Sequence, residues 1–102
     1  MKELTLIVHA DTEQALADTL RALPQVSGFT FTRVEGHGTQ DDSDAFLSAR
    51  DRVVGYTPHV RVDILLEDAD VDDVVRSLQQ GQSGVAGRGR YWVTSVEKGG
   101  RL

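Results

Sequence analysis

Apolar and polar residues alternate along short segments of this chain, which is the spacing of half-buried β-strands. The run from Leu4 to His9 has the length and the residue types of a strand. Phe29 and Phe31 alternate with threonines in a second segment, and valines and an isoleucine alternate with polar residues in a third. The pattern predicts four strands, at residues 4–9, 28–35, 58–66 and 90–96.

Two other segments repeat their apolar residues every three or four positions, as one face of a helix does. In the first, leucines recur at i, i+4 and i+7 over residues 16–23, and Pro24 ends the segment. Asp11, with Gln14 three residues later, forms a capping-box pattern that predicts the start of this helix. Asp70 is predicted to cap the second helix. The apolar face of that helix consists of Val71, Val74, Val75 and Leu78.

The predicted order of elements is therefore βαββαβ. Two right-handed crossovers place both helices on one face of a four-stranded antiparallel sheet, which is an α+β, ferredoxin-like arrangement. The other face carries Ile7, Leu65 and Trp92 among polar residues, and is too apolar to be left wholly in water. We expect association between subunits to cover it; the alternative is an apolar face tolerated in a monomer.

The segment from Gly36 to Thr57 fits neither spacing. It opens with glycines and carries Asp41, Asp42 and Asp44. A loop of this length inside a compact domain is usually functional or disordered. We predict a long loop at 36–57 that is mobile without a ligand. Its acidic tip is more simply explained as a solvated surface than as a site for a hard cation.

Composition narrows the classes of function. The 102 residues fit a single domain, 1–102, and sixteen acidic against eleven basic residues give a formal charge of −5. Nucleic acid is not an expected partner, because the chain lacks a basic stripe. The absence of cysteine excludes disulfides and thiolate metal sites. No apolar run approaches the roughly 20 residues of a membrane span, and none resembles a signal segment, so we expect a cytoplasmic protein.

Other functions known on ferredoxin-like folds are not favoured by the residues. An RNA-binding version needs exposed aromatic residues on its central strands, and the segment 58–66 has none. An acyl-phosphate hydrolase on this fold needs an asparagine to place its water, and the chain contains no asparagine. No pairing of a nucleophile with a base is visible either, so we predict that the protein is not an enzyme.

Glycines are concentrated in two segments, Gly36 to Gln40 and Ser83 to Arg90. Glycine lets backbone amides turn toward an anion without hindrance from a Cβ atom, and such nests bind phosphate. Arg88 and Arg90 would add charged donors. Considered alone, the second segment fits a tight turn into a strand about as well as it fits a phosphate site.

Taken together, these segments resemble motifs of the PII-like signalling proteins, in the same order and at nearly the same spacing. The resemblance covers essentially the whole chain, and the Tyr91-Trp92-Val93 strand is most similar to a small PII-like group associated with heavy-metal efflux systems. The shared motifs are Gly36-x-Gly38-x-Gln40 at the end of strand two, Ser83 to Arg90 before strand four, and Arg101 near the C-terminus.

The resemblance implies a homotrimer with an adenine nucleotide (AMP, ADP or ATP) in each cleft between subunits. The nucleotide would be bound with or without Mg²⁺, and Gln40 would be the ligand of that Mg²⁺. It also implies a regulatory protein that senses a small-molecule effector, an adenine nucleotide or a small anion, and controls a membrane transporter or other protein target through its long loop. The residues implied to bind the effector are Thr30, Gly36, Gly38, Gln40, His59, Gly84, Gly87, Arg88, Gly89, Arg90 and Arg101.

Three positions depart from the family pattern. His59 stands where the family has a lysine that contacts the γ-phosphate of ATP and 2-oxoglutarate, and histidine is mostly neutral at pH 7. Arg88 replaces an aspartate, which makes the glycine segment more basic. Arg52 replaces the tyrosine that is uridylylated in nitrogen-regulating members. We therefore predict a divergent PII-like protein and not a nitrogen regulator.

The alternative hypothesis is a metal-binding accessory protein of a heavy-metal efflux system, without nucleotide binding. His9, His37 and His59 would supply its imidazole ligands. Scattered histidines without close sequence pairing more often have no such role, so we predict no metal ligand among them.

Overall fold

The computed structural model describes residues 1–37 and 56–102, and most of the predicted loop 36–57 lies outside them. The described chain contains four strands and two helices in the order βαββαβ, as predicted. Single 3₁₀ turns precede each helix and follow the second. The elements are β1 (Lys2–His9), α1 (Glu13–Ala22), β2 (Thr30–Gly36), β3 (Thr57–Leu66), α2 (Val71–Leu78) and β4 (Gly89–Ser95).

The strands form one antiparallel sheet in the order β2-β3-β1-β4. Leu4 on β1 lies opposite Ile64 on β3, and Leu6 lies opposite Val62, so these four side chains share one face. All four are buried. The hydrophobic core therefore lies on this face of the two central strands.

Both helices pack on that same face. Leu16 and Leu20 of α1 and Val74 and Leu78 of α2 are buried in one cluster with the strand residues of the core. The i, i+4 spacing on α1 and the i, i+4 spacing on α2 put these side chains on one side of each helix. The predicted ferredoxin-like fold is thus confirmed.

The opposite face of the sheet, which we call the open face, carries no helix among the described residues. Strand alternation and register place Ile7, Leu65 and Trp92 on it, as predicted from the sequence. Leu65 is 49% exposed and Trp92 is 42% exposed. Two large apolar side chains are therefore left in contact with water in the isolated chain.

The predicted helix cap at Asp11 is wrong, and the one at Asp70 is right in its position only. The Nδ1 of His9 accepts a hydrogen bond from the backbone N–H of Asp11 at 3.1 Å, so Asp11 lies inside a 3₁₀ turn and does not cap α1. Thr12 occupies the cap position without a side-chain cap, and its hydroxyl donates to the His9 carbonyl at 2.7 Å. Asp70 does occupy the N-cap position of α2, as predicted, but its side chain makes no capping hydrogen bond.

Candidate functional site

The glycine-rich turn between α2 and β4 is built around Ser83, which is 1% exposed. Its hydroxyl donates to the Leu78 carbonyl at 2.6 Å and accepts from the backbone N–H of Val85 at 3.1 Å. These bonds connect the end of α2 to the turn. The turn then reverses through Gly84 and Gly87, whose φ angles of 80° and 71° are in the left-handed region that favours glycine.

The three glycines of this turn are required for different reasons. A Cβ atom on Gly89 would lie 2.8 Å from Val8 Cγ1 and 2.9 Å from the carbonyl oxygen of Ile7, so Gly89 allows β4 to approach β1 closely. A Cβ atom on Gly84 would lie 2.9 Å from the Cβ of Ala15 on α1. At Gly87 a Cβ atom would meet nothing within 4 Å. Gly87 is therefore the glycine of the turn with open space beside it.

The two arginines of this segment have different surroundings. Arg88 donates to both carboxylate oxygens of Asp11, at 3.2 and 3.4 Å, and its side chain is 23% exposed. Arg90 lies opposite Ile7 on the open face and is exposed. Its guanidinium makes no hydrogen bond or ion pair with any residue that the structure describes. Arg88 thus anchors the turn to the segment before α1, and Arg90 is available for an anion.

Gly36 and His59 are in contact at the adjacent ends of β2 and β3. The His59 imidazole lies against the backbone of Gly36. It occupies the space that a Cβ atom at position 36 would fill. The His59 Nδ1 is 2.9 Å from the carbonyl oxygen of Thr57. A carbonyl can only accept, so Nδ1 carries the proton. Directly opposite on β1 lies His9, with a ring-centroid distance of 6.2 Å.

The open face is polarised along the strands. Arg61 on β3 and Arg90 on β4 both lie opposite Ile7, one on each side. His9 and His59 occupy the next position toward the end of the sheet that carries the glycine turn. This end of the open face is therefore the basic end. Ile7 lies at its centre, and Arg90 is its exposed donor for an anion.

Thr30 and Arg101 are not close to these residues in the single chain. Thr30 lies on β2, opposite Asp63, and β3 and β1 separate it from β4. Three strand spacings correspond to roughly 14 Å. Arg101 follows β4 in a segment whose Gly99 lies near Met1, at the other end of the sheet from Gly89. Neither residue can join Arg90 within one chain.

Two predicted ligands, Gly38 and Gln40, lie outside the described residues, as does Arg52. A groove of about 200 Å³ opens below the glycine turn, on the helix side of β4. Its lining is mainly apolar and includes Val75, Leu78, Val85 and Tyr91. A larger groove of about 490 Å³ runs beside α1 and Phe31, away from the glycine turn.

A cluster of charged residues on the open face was missed by the sequence reasoning. Arg61 donates through Nε to both carboxylate oxygens of Asp63, at 3.1 and 3.2 Å, and the hydroxyl of Thr5 donates to Asp63 at 3.3 Å. The pKa of Glu3 is raised, first by a hydrogen bond with Asp63 and then by partial burial and the Asp63 charge. The positive charge of Arg61 acts in the opposite direction and lowers that pKa. Alternation along β1 and β3 could have placed these residues on one face.

The histidines do not form the three-ligand metal site considered as an alternative. His9 pairs with His59, whereas His37 lies 3.2 Å from the carboxylate of Glu35 and beside the ring of Tyr56. Within residues 1–37 and 56–102, no three histidine, aspartate or glutamate side chains are grouped so that they could bind a metal ion. The same residues contain no helix long and apolar enough to cross a membrane.

Comparison with known proteins decides the family. The sequence profile described as "Protein of unknown function (DUF3240)" matches residues 1–102. The chain belongs to this family. The nitrogen regulatory protein P-II of Azospirillum brasilense is 30% identical over 99 residues, which cover 96% of this chain and 88% of that protein. The family is thus PII-like, as the sequence motifs indicated.

Two further comparisons agree with this assignment. Nitrogen regulatory protein P-II 2 of Methanothermobacter thermautotrophicus is 28% identical over 96% of this chain and 85% of its own length. The crystal structure of a DUF3240 family protein from Shewanella baltica superimposes with a TM-score of 0.75 at 22% identity. It covers 99% of this chain and 94% of that one, which supports the PII-like fold.

Proposed function

We propose that this PII-like protein is a regulatory protein, not an enzyme, that binds an anionic effector at the basic end of the open face. The observation that carries the proposal is the exposed Arg90 guanidinium, which has no partner among the described residues and follows the open turn position Gly87 by three residues. A positive-φ glycine turn and a guanidinium together suit a phosphate group. An adenine nucleotide, AMP, ADP or ATP, with or without Mg²⁺, is the proposed effector.

The proposal includes a homotrimer with the effector in clefts between subunits. Thr30 and Arg101 are both far from Arg90 in the single chain, so a site that contains all three needs a second subunit. The exposed Leu65 and Trp92 on the open face support association there. A light-scattering mass measured at micromolar concentration tests this part, and a monomeric mass would contradict it.

The proposed output is control of a protein target, such as a membrane transporter, by the loop between β2 and β3. Gly36 at the start of this loop contacts His59 at the basic end of the open face. An effector bound beside His59 would therefore touch the base of the loop, which gives a physical route from effector to partner. The proposed location of the protein is the cytoplasm.

Titration calorimetry with AMP, ADP and ATP, each with and without Mg²⁺, tests effector binding. Replacing Arg90 by Ala should weaken binding ten- to a hundredfold, because a charge-assisted hydrogen bond is worth roughly 1.5–3 kcal/mol. Arg76→Ala is the matched control, since Arg76 lies on α2 and pairs with Asp73. If no adenine nucleotide binds the wild-type protein more tightly than about 1 mM, the glycine turn is a structural turn only.

A further inference from the structure

Two carboxyl groups lie side by side on the open face. Asp63 on β3 is directly opposite Thr5 on β1, and Glu3 is two residues before Thr5, on the same face of the sheet. Glu3 and Asp63 are therefore diagonal neighbours across β1 and β3, close enough for a hydrogen bond between their carboxyl groups. Carboxylates are acceptors only, so such a bond exists only when one of the two carries a proton.

The charged groups around this pair can be named from each strand. Arg61 and Asp63 come from β3, and Arg61 Nε donates to both oxygens of Asp63. Arg90, His9 and His59 lie on the same face, toward its basic end. Both helices pack on the opposite face and contribute none. Arg61 is therefore the cation of the open face that acts on the pair, and it is already bonded to Asp63.

Two exposed apolar side chains of the open face lie beside the pair. Leu65 lies directly opposite Glu3, and Trp92 lies directly opposite Thr5. Any copy of the chain that covers Leu65 and Trp92 also removes Glu3 from water. Burial disfavours the charged form of a carboxyl group unless a cation or a proton accompanies it.

We propose that association of subunits through the open face takes up a proton at the Glu3–Asp63 pair, so that association strengthens as the pH falls. This inference rests on the proposed self-association and adds its regulation by pH. The pKa of Glu3 is already raised in the single chain, first by its hydrogen bond with Asp63. This is the direction that proton uptake requires. Each proton taken up changes the association constant by up to about tenfold per pH unit.

The test measures mass by sedimentation over a range of protein concentrations, at about pH 6, 7 and 8, where a proton-linked equilibrium must move. Wild type, Glu3→Gln and Glu67→Gln are compared. Glu67 is exposed and lies outside the sheet, so Glu67→Gln makes the same change in net charge away from the open face. Circular dichroism confirms that each variant is folded.

As the pH rises, wild type and Glu67→Gln should need higher protein concentrations to remain associated. Glu3→Gln should associate more strongly than wild type at pH 8, with a weaker dependence on pH. Stable oligomers with the same pH dependence in wild type and Glu3→Gln would overturn the proton coupling and leave the self-association standing. Monomers of wild type and Glu3→Gln at every pH would overturn both. Association of wild type that strengthens with rising pH would also overturn the coupling.

Discussion

The backbone of Gly36 lies against the imidazole of His59, and the ring is held there by its hydrogen bond to the Thr57 carbonyl. An alanine at position 36 would bring its Cβ atom into overlap with Nδ1 and Cε1 of the ring. We expect Gly36→Ala to lower the free energy of unfolding by about 1–3 kcal/mol, the usual cost of an overpacked contact. Urea denaturation monitored by circular dichroism measures this change.

The comparison that isolates this contact is a double-mutant cycle with His59→Ala. Removing the ring should reduce the cost of Gly36→Ala toward that of Gly28→Ala, because a Cβ atom at position 28 meets nothing within 4 Å. An unchanged cost in the His59→Ala background would show that the glycine is needed for another reason.

Gly89 is expected to be more sensitive to substitution than Gly87 in the turn before β4. In Gly89→Ala the new Cβ atom meets the backbone carbonyl of Ile7 as well as Val8, so relaxation would require β4 to move away from β1. A loss of about 2–3 kcal/mol is expected from such overpacking. In Gly87→Ala strain from the positive φ, of order 1 kcal/mol, is the main cost. Equal losses in the two variants would contradict the steric role of Gly89.

Replacing Arg88 by Ala should mainly lower stability, whereas replacing Arg90 by Ala should mainly lower effector affinity. Arg88→Ala removes the partly buried ion pair with Asp11 and should lower stability by about 1 kcal/mol, with a smaller effect on effector affinity than Arg90→Ala. Arg90→Ala should leave the melting temperature of the free protein nearly unchanged and weaken the effector. Thermal melts and calorimetry on both variants measure the two effects. Equal loss of effector affinity in both would mean that Arg88 leaves Asp11 to bind the ligand.

His59→Lys adds a permanent positive charge beside the basic end of the open face. If the proposed effector site is correct, affinity for ATP should increase more than affinity for AMP, because the added charge acts on a larger negative charge. Calorimetry at two salt concentrations measures this, and the gain should shrink at high salt. His59→Gln is the matched control without the charge. An equal gain for AMP and ATP in His59→Lys would argue against phosphate recognition near position 59.

The strands and helices could be predicted because their patterns are local. Each strand alternates over a few residues, and the same alternation placed Leu65 and Trp92 on the open face. The side-chain contacts at the starts of the helices could not be predicted in this way. Whether Asp11 caps α1 depends on the side chain of His9, whose Nδ1 binds the Asp11 N–H and holds that residue in a 3₁₀ turn.

The contacts of the candidate site were also hard to predict, because they join residues that are distant in the sequence. Arg88 and Arg90 are two residues apart and chemically identical, yet only Arg88 is paired with Asp11, 77 residues away in the sequence. A pattern of glycines and arginines does not reveal such a distant partner. The pairing of Glu3 with Asp63 was readable in principle, because both positions follow from alternation once β1 and β3 are set in register.

Every residue of β4 is exposed, on both faces of the strand. Tyr91 and Val93 face the helix side, yet they remain 50% and 41% exposed. In the isolated chain, β4 therefore buries little apolar area, and more would be buried if another subunit covered it. Folding and assembly would then be one linked equilibrium, so the melting temperature of this protein should rise with its own concentration, as it does for a ligand that binds only the folded state.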